Sequence, residues 1–279
     1  MESLGGDIGN NRGRWISGLL VLFFLIFNIA VAVAGRDWGD HSGFIFLGVA
    51  FAQTSMLAMW TALGTAPLVI RSSLGLVGAV FVSISVLAYS TYNYEGLAIG
   101  GATFLQWCFV QLPLWACRLF SDWRFSTPPS APESDSRSDT QFGIRQLLVW
   151  TGLVAAVLAL ARTAFPAGAA ERGGGDYRTL LGILGLLPLF SSLLAWPTIW
   201  GTLVRRGLPI WLFTASLCFV GICIAESWAF QTISGIYIDA FWWMNGVQFG
   251  VSAIALLLLR LSGLRLIRDV GEKAANEHG

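Results

Sequence analysis

Charge is what this sequence has least of. Only 12% of its 279 residues are charged and 55% are hydrophobic, where a soluble domain carries about a quarter charged. So few ionised side chains cannot cover a globule of this size, whereas a surface facing lipid needs no such cover. Lysine is nearly absent, Lys273 being the single one, and the formal net charge is +1. Nucleic acid is therefore excluded as a partner, since it demands a net basic face. Histidine is limited to His41 and His278. The four cysteines, Cys108, Cys117, Cys218 and Cys223, lie in apolar stretches without a CxxC pair or a nearby histidine. They read as small buried hydrophobes and leave the redox compartment open. There is no HExxH, GxSxG, phosphate loop or dinucleotide fingerprint. An enzyme is not expected, nor a bound metal or cofactor, because nucleophile, base and orienter have no residues to occupy those roles.

Long apolar runs are what the chain does have. A hydrocarbon core about 30 Å thick takes roughly 20 apolar residues per helical crossing. Eight stretches reach that length: 15–35, 43–63, 74–90 (or from 68), 97–120, 146–165, 179–200, 208–230 and 241–261. Helix is the expected form, because a crossing segment must satisfy its own backbone hydrogen bonds. The runs lack the strict alternation of a membrane β-barrel. The fold class expected is thus all-α, a polytopic transmembrane bundle of about eight spans. Arg12 and Arg14 ahead of the first run, with Ala32-Val33-Ala34 behind it, also fit a signal peptide, but the run is as long as a full span and is expected to remain one. Either way residue 36 ends outside the cytoplasm.

Arginine placement sets the orientation. One side holds Arg12, Arg14, Arg71, Arg118, Arg124, Arg137, Arg145, Arg205, Arg206, Arg260, Arg265, Arg268 and Lys273, the other only Arg36, Arg162, Arg172 and Arg178. The positive-inside rule then puts both termini in the cytoplasm. Most of the thirteen tryptophans fall near predicted span ends, where indoles form an interfacial belt.

Residues 121–141, rich in serine, proline and aspartate, read as a flexible cytoplasmic linker. They divide the chain into a first four-helix half (1–120) and a second (142–268), followed by a polar cytoplasmic tail (269–279). A faint repeat accompanies the division. Val69-Ile70-Arg71-Ser72-Ser73-Leu74 parallels Leu203-Val204-Arg205-Arg206-Gly207-Leu208, and Tyr94-Glu95 parallels Tyr237-Ile238-Asp239. Because four is even, duplicated halves would share one orientation, a parallel repeat. At the linker's end, Phe142-Gly143-Ile144-Arg145-Gln146-Leu147-Leu148 before an Ala/Leu/Val-rich run resembles a segment of uncharacterised multi-pass membrane proteins of planctomycete-type bacteria. The resemblance spans about residues 141–162. It implies a bacterial inner-membrane origin and carries no activity or site residues.

Candidate functional residues follow from the cost of polarity in lipid. Glu226 is the one carboxylate inside a predicted span, and the deeper amides are Asn28, Gln53, Gln106, Gln111, Asn245 and Gln248. Glu226 is expected to be interfacial, reaching outer water beside Trp228, with a proton or cation site partnered by Arg162 or Arg178 as the alternative. Gln106 and Gln248 occupy comparable places in the fourth and eighth spans and are expected to bond neighbouring helices or to line a polar path. Gly96-x-x-x-Gly100 and Gly246-x-x-x-Gly250 are candidates for close helix packing. Pro113, Pro188 and Pro197 are expected to kink their helices. Asp37, Asp40, His41, Glu95 and Asp239 gather at the outer rim, too poor in histidine and cysteine for a zinc site. The leading functional expectation is a non-catalytic scaffold or accessory subunit, with lipid and another membrane protein or a second copy as partners. The alternative is a small-solute or lipid transporter with its path between the halves.

Overall fold

A computed structural model of the chain describes residues 4–34, 40–64, 66–89, 94–121, 123–126, 182–203, 208–234, 239–263 and 265–268. The predicted fifth span, most of the linker and the polar tail lie outside these residues. Seven α-helices are described: α1 (Leu4–Ala34), α2 (Asp40–Leu63), α3 (Leu68–Tyr89), α4 (Tyr94–Ser121), α5 (Leu187–Leu203), α6 (Leu208–Ser234) and α7 (Asp239–Leu261). Among the described residues five helical segments are long and apolar enough to cross a membrane: Ser42–Leu63, Leu68–Tyr89, Gly182–Leu203, Pro209–Thr232 and Phe241–Leu261. The apolar part of α1, Trp15–Val31, is shorter, and α4 is interrupted by Gln106, Gln111 and Pro113.

Helix boundaries follow local chemistry. At the end of α2 the Gly64 amide donates to the Trp60 carbonyl (2.9 Å), and Pro67 then prepares the first turn of α3. The third span accordingly begins at Leu68, the earlier of the two expected starts. After α7, Gly263 adopts φ 98°, the left-handed conformation that glycine enters freely. A π-helical turn, Gly182–Leu186, leads into α5. Pro188 is the second residue of α5; its missing amide hydrogen and its ring disfavour ordinary α-helical bonding across that junction.

One element has no counterpart in the expected all-helical picture. Trp123–Ser126 (β1) pairs antiparallel with Arg265–Arg268 (β2), Trp123 facing Arg268 and Ser126 facing Arg265. Residues 123–126 therefore form a strand where a flexible linker is expected. Trp123-Arg124-Phe125-Ser126 does alternate apolar and polar, but at four residues it is the shortest run that such alternation can mark as a strand.

α2 is the central element. It packs most extensively on α7, and also on α4 and α3, while α4 contacts α5 and α5 contacts α6 and α7. One apolar cluster joins Ala58, Met59, Trp107, Val110, Leu114, Ile199, Leu203 and Leu256; a second joins Phe46, Phe51, Val82, Phe230, Phe241 and Met244. The first draws on α2, α3, α4, α5 and α7, so helices from both sides of residues 121–141 share a core. Outside, large apolar side chains are bare: Val77 is 64% exposed, Phe213 65% and Ile254 62%. Inside, Asn28, Gln53, Gln106, Glu226, Asn245 and Gln248 are all buried. This is the reverse of a water-soluble protein, where buried polar groups are the exception, and it fits a membrane location.

Candidate functional site

The inward-facing polar side chains lie on helices that apolar packing already holds together. On α7, Asn245, Gln248 and Ser252 recur at helical spacing and are all buried. Asn245 donates through Nδ2 to Glu226 Oε2 on α6. Gln248 donates through Nε2 to the Ser191 carbonyl of α5 at 2.9 Å. On α4, Gln106 Nε2 donates to Ser55 Oγ (2.9 Å) and to the Phe51 carbonyl (3.2 Å), both on α2. Asn28 of α1 donates to Gln53 Oε1 of α2 at 2.7 Å, and Ser83 and Thr103 share a hydroxyl bond of 3.0 Å between α3 and α4. Buried hydroxyls such as Thr54, Ser55 and Thr198 return their protons to the carbonyl one turn earlier.

Many of these groups are only half satisfied. Asn28 Oδ1, Gln53 Nε2, Gln106 Oε1, Gln111 Nε2, Glu226 Oε1, Asn245 Oδ1 and Gln248 Oε1 have no hydrogen-bond partner among the described residues. Each such atom costs about 1–3 kcal/mol, while a bond between membrane helices returns about 0.6–2 kcal/mol. Saturating packing bonds would not leave this pattern.

Glu226 corrects an expectation. It is 0% exposed and turned toward α7, while Trp228, its supposed interfacial companion, is 70% exposed on the outer surface of the bundle. A depth estimate from sequence cannot tell which face of a helix a residue occupies, and α6 is apolar on nearly all of them. Arg162 and Arg178 lie outside the described residues.

The glycines also sort differently from expectation. A Cβ on Gly100 would lie 3.1 Å from the Ser83 carbonyl, so α4 does approach α3 closely there. Among the described residues Gly246 meets only Phe219, at 3.9 Å, and Gly250 meets nothing within 4 Å, so no described helix packs closely on the α7 motif. Gly96 stands in the first turn of α4, its surroundings outside the described contacts. Tight sites lie elsewhere: a Cβ on Gly75 of α3 would run into Thr61 Oγ1 of α2, and one on Gly48 of α2 into the Met244 carbonyl, Val247 Cβ and the Gln248 amide of α7.

At one end of the bundle, arginines do more than mark topology. Arg118 Nη1 donates to the Ala62 carbonyl (2.8 Å) and Arg71 Nη1 to the same oxygen (3.2 Å); Arg260 Nη1 donates to the Thr202 carbonyl (2.8 Å). These oxygens end α2 and α5, where a helix presents partial negative charge and unpaired carbonyls. Arg71 is only 2% exposed, and both Arg71 and Arg118 face the Trp115 ring, at 5.9 and 5.5 Å. The expected outer rim lies at the opposite helix ends. Asp40 and His41 begin α2, Glu95 is in the first turn of α4 and Asp239 begins α7, with their side chains outside the described ones; Asp37 is not among the described residues. Among the described residues no group of three or more His, Cys, Asp or Glu side chains can hold a metal ion.

No family model, no curated protein and no solved structure matches this chain.

Proposed function

We propose that this protein is a transporter of a small solute in a bacterial inner membrane, its path running between two parallel four-helix halves. The observation that carries the reading is the set of half-satisfied amides on α2, α4 and α7. A polar occupant passing between the halves gives those oxygens and amide hydrogens a role that helix packing alone does not. The seam is where α2 lies on α7 and α4 on α5, and it brings the Gln248 backbone against Gly48.

The eight-span, duplicated architecture belongs to the same reading, with α1, α4 and the predicted span at 146–165 counted as crossings. Its support is a set of paired bonds. Gln106 holds α2 at Phe51 as Gln248 holds α5 at Ser191, and Arg118 holds α2 at Ala62 as Arg260 holds α5 at Thr202. Arg118 follows Gln106 at the spacing at which Arg260 follows Gln248, and Ala62 follows Phe51 as Thr202 follows Ser191. β1 and β2 begin equally far beyond those arginines, and their register sets the first residue of each strand against the last of the other. A twofold axis along the membrane normal would relate all of these. On this alignment Arg71 corresponds to Trp211, not to Arg205. The arginine-bearing end is the cytoplasmic one by the positive-inside rule, which puts both termini there.

A scaffold or accessory role is the second reading. It is favoured by the close approach at Gly48 and by the helix-to-helix bond that each glutamine already makes. The two are separated by reconstituting the full chain in liposomes and applying a panel of amino acids, sugars, nucleosides and organic acids on a solid-supported membrane. The transport reading expects a solute-elicited current that Gln248→Ala reduces by about tenfold, near the loss of one good hydrogen bond. A silent panel, together with a stoichiometric companion protein after mild-detergent purification, would replace it with the scaffold.

A further inference from the structure

We propose that Glu226 is an occluded proton-binding site, the carboxyl through which the protein takes up and releases a proton. This rests on the reading of α6 and α7 as membrane-spanning and supplies the transporter with a coupling ion. Geometry carries it. Both Glu226 and Asn245 are 0% exposed. Glu226 lies about 9 Å along the helix from the end of the apolar window at Thr232. One carboxyl oxygen accepts the Asn245 amide hydrogen; the other, Oε1, has no partner among the described residues, nor has Asn245 Oδ1.

A bare anion at this position needs a compensating charge, and the described neighbours offer none. α6 packs on α5, α7 and the π-helical turn. α5 and that turn contain no ionisable side chain. On α7, Arg260 sits at the far end, bonded to the Thr202 carbonyl, and the Asp239 side chain is outside the described ones. On α6 itself, the titratable neighbour is the Cys223 thiol, beside Asn245 and Glu226. A proton on Oε1 neutralises the group without any further ligand, whereas a metal cation requires several oxygens around it. The site also belongs to one half alone. The matching positions of the other half are Val86 for Glu226 and the hydroxyl pair Ser83 and Thr103 for Cys223 and Asn245. A protonatable group in one half gives an otherwise symmetric seam a direction.

The test is carbodiimide labelling, since N,N′-dicyclohexylcarbodiimide reacts with protonated carboxyls in apolar surroundings. The folded full chain, in liposomes, is treated across a series from about pH 5 to about pH 9 and mapped by peptide mass spectrometry. Glu226 should be labelled, with a yield falling by about tenfold per pH unit once the carboxyl ionises. Asn245→Ala should displace that profile by about one pH unit or more. Glu226 unlabelled in the folded chain but labelled after unfolding would overturn the proposal, as would a yield indifferent to pH. Labelling suppressed about tenfold by sodium chloride, relative to N-methylglucamine chloride, would overturn the proton assignment in favour of a metal cation. A pH-dependent label in a chain that moves no solute would leave the proton site standing and remove the transport reading.

Discussion

Gly48 and Gly250 provide a paired test of how α7 is packed. The same substitution, glycine to alanine, should act in opposite directions at the two positions. At Gly48 the new methyl would meet the Met244 carbonyl, lie 2.9 Å from Val247 Cβ and 3.2 Å from the Gln248 amide nitrogen. Two of those three atoms are backbone, so no side-chain rotation relieves the contact and α2 must move off α7. Overpacking of that kind costs about 1–3 kcal/mol, the upper end applying where backbone meets backbone. Alanine recovers about 1 kcal/mol of helix propensity, leaving a net loss of about 2 kcal/mol. At Gly250 no described atom lies within 4 Å, so only the propensity term acts and the protein gains about 1 kcal/mol. For a chain of this size 1 kcal/mol corresponds to about 2–4 °C in Tm. Gly48→Ala should therefore fall by about 4–8 °C and Gly250→Ala rise by about 2–4 °C. Intrinsic tryptophan fluorescence during heating in mild detergent reads both, given thirteen indoles. Equal shifts at the two sites, or a loss at Gly250, would refute the close approach of α2 to α7 and restore the α7 glycine motif as the packing face.

Three further outcomes follow. Arg118→Ala and Arg260→Ala each remove a charged donor from the carbonyls that end α2 and α5, and each should cost about 1–3 kcal/mol, read as a lowered Tm; lysine should restore part of it. Asn28→Leu and Gln53→Leu, combined in a double-mutant cycle, should show a coupling of about 0.6–1.7 kcal/mol, since their bond fastens α1 to α2; zero coupling would mean that α1 is held by apolar contacts alone. A short epitope tag inserted after Ser126 should be shielded from antibody in intact cells and exposed after the membrane is opened, as the positive-inside orientation requires.

Helix positions were legible in the sequence because a segment in lipid must bond to itself, so apolar length alone marks it. The expected run 241–261 and the observed α7, Asp239–Leu261, differ by two residues at one end. Facing was not legible. α2 and α6 are apolar nearly all round, so nothing in the pattern of α2 marks Gly48 as the position pressed on α7. For the same reason Glu226 reads as interfacial until α7 is seen to bring Asn245 to it. The arginines at 71, 118 and 260 could be counted as topology markers, but their bonds to carbonyls ending α2 and α5 depend on helix ends meeting in space. The one signal that was present is the shared spacing from Gln106 to Arg118 and from Gln248 to Arg260.

On this reading the apolar exterior faces lipid while the polar side chains face each other. Spin labels placed singly along α6 in liposomes test it most directly, through their accessibility to oxygen, which dissolves in lipid, and to a nickel chelate, which stays in water. Leu217, Ile224 and Trp228, at 57%, 58% and 70% exposed, should show oxygen maxima and nickel minima. Ala215 and Cys223, both 0% exposed, should be closed to both reagents. A nickel maximum at Leu217 and Ile224 would put water where the account requires lipid, and would contradict it.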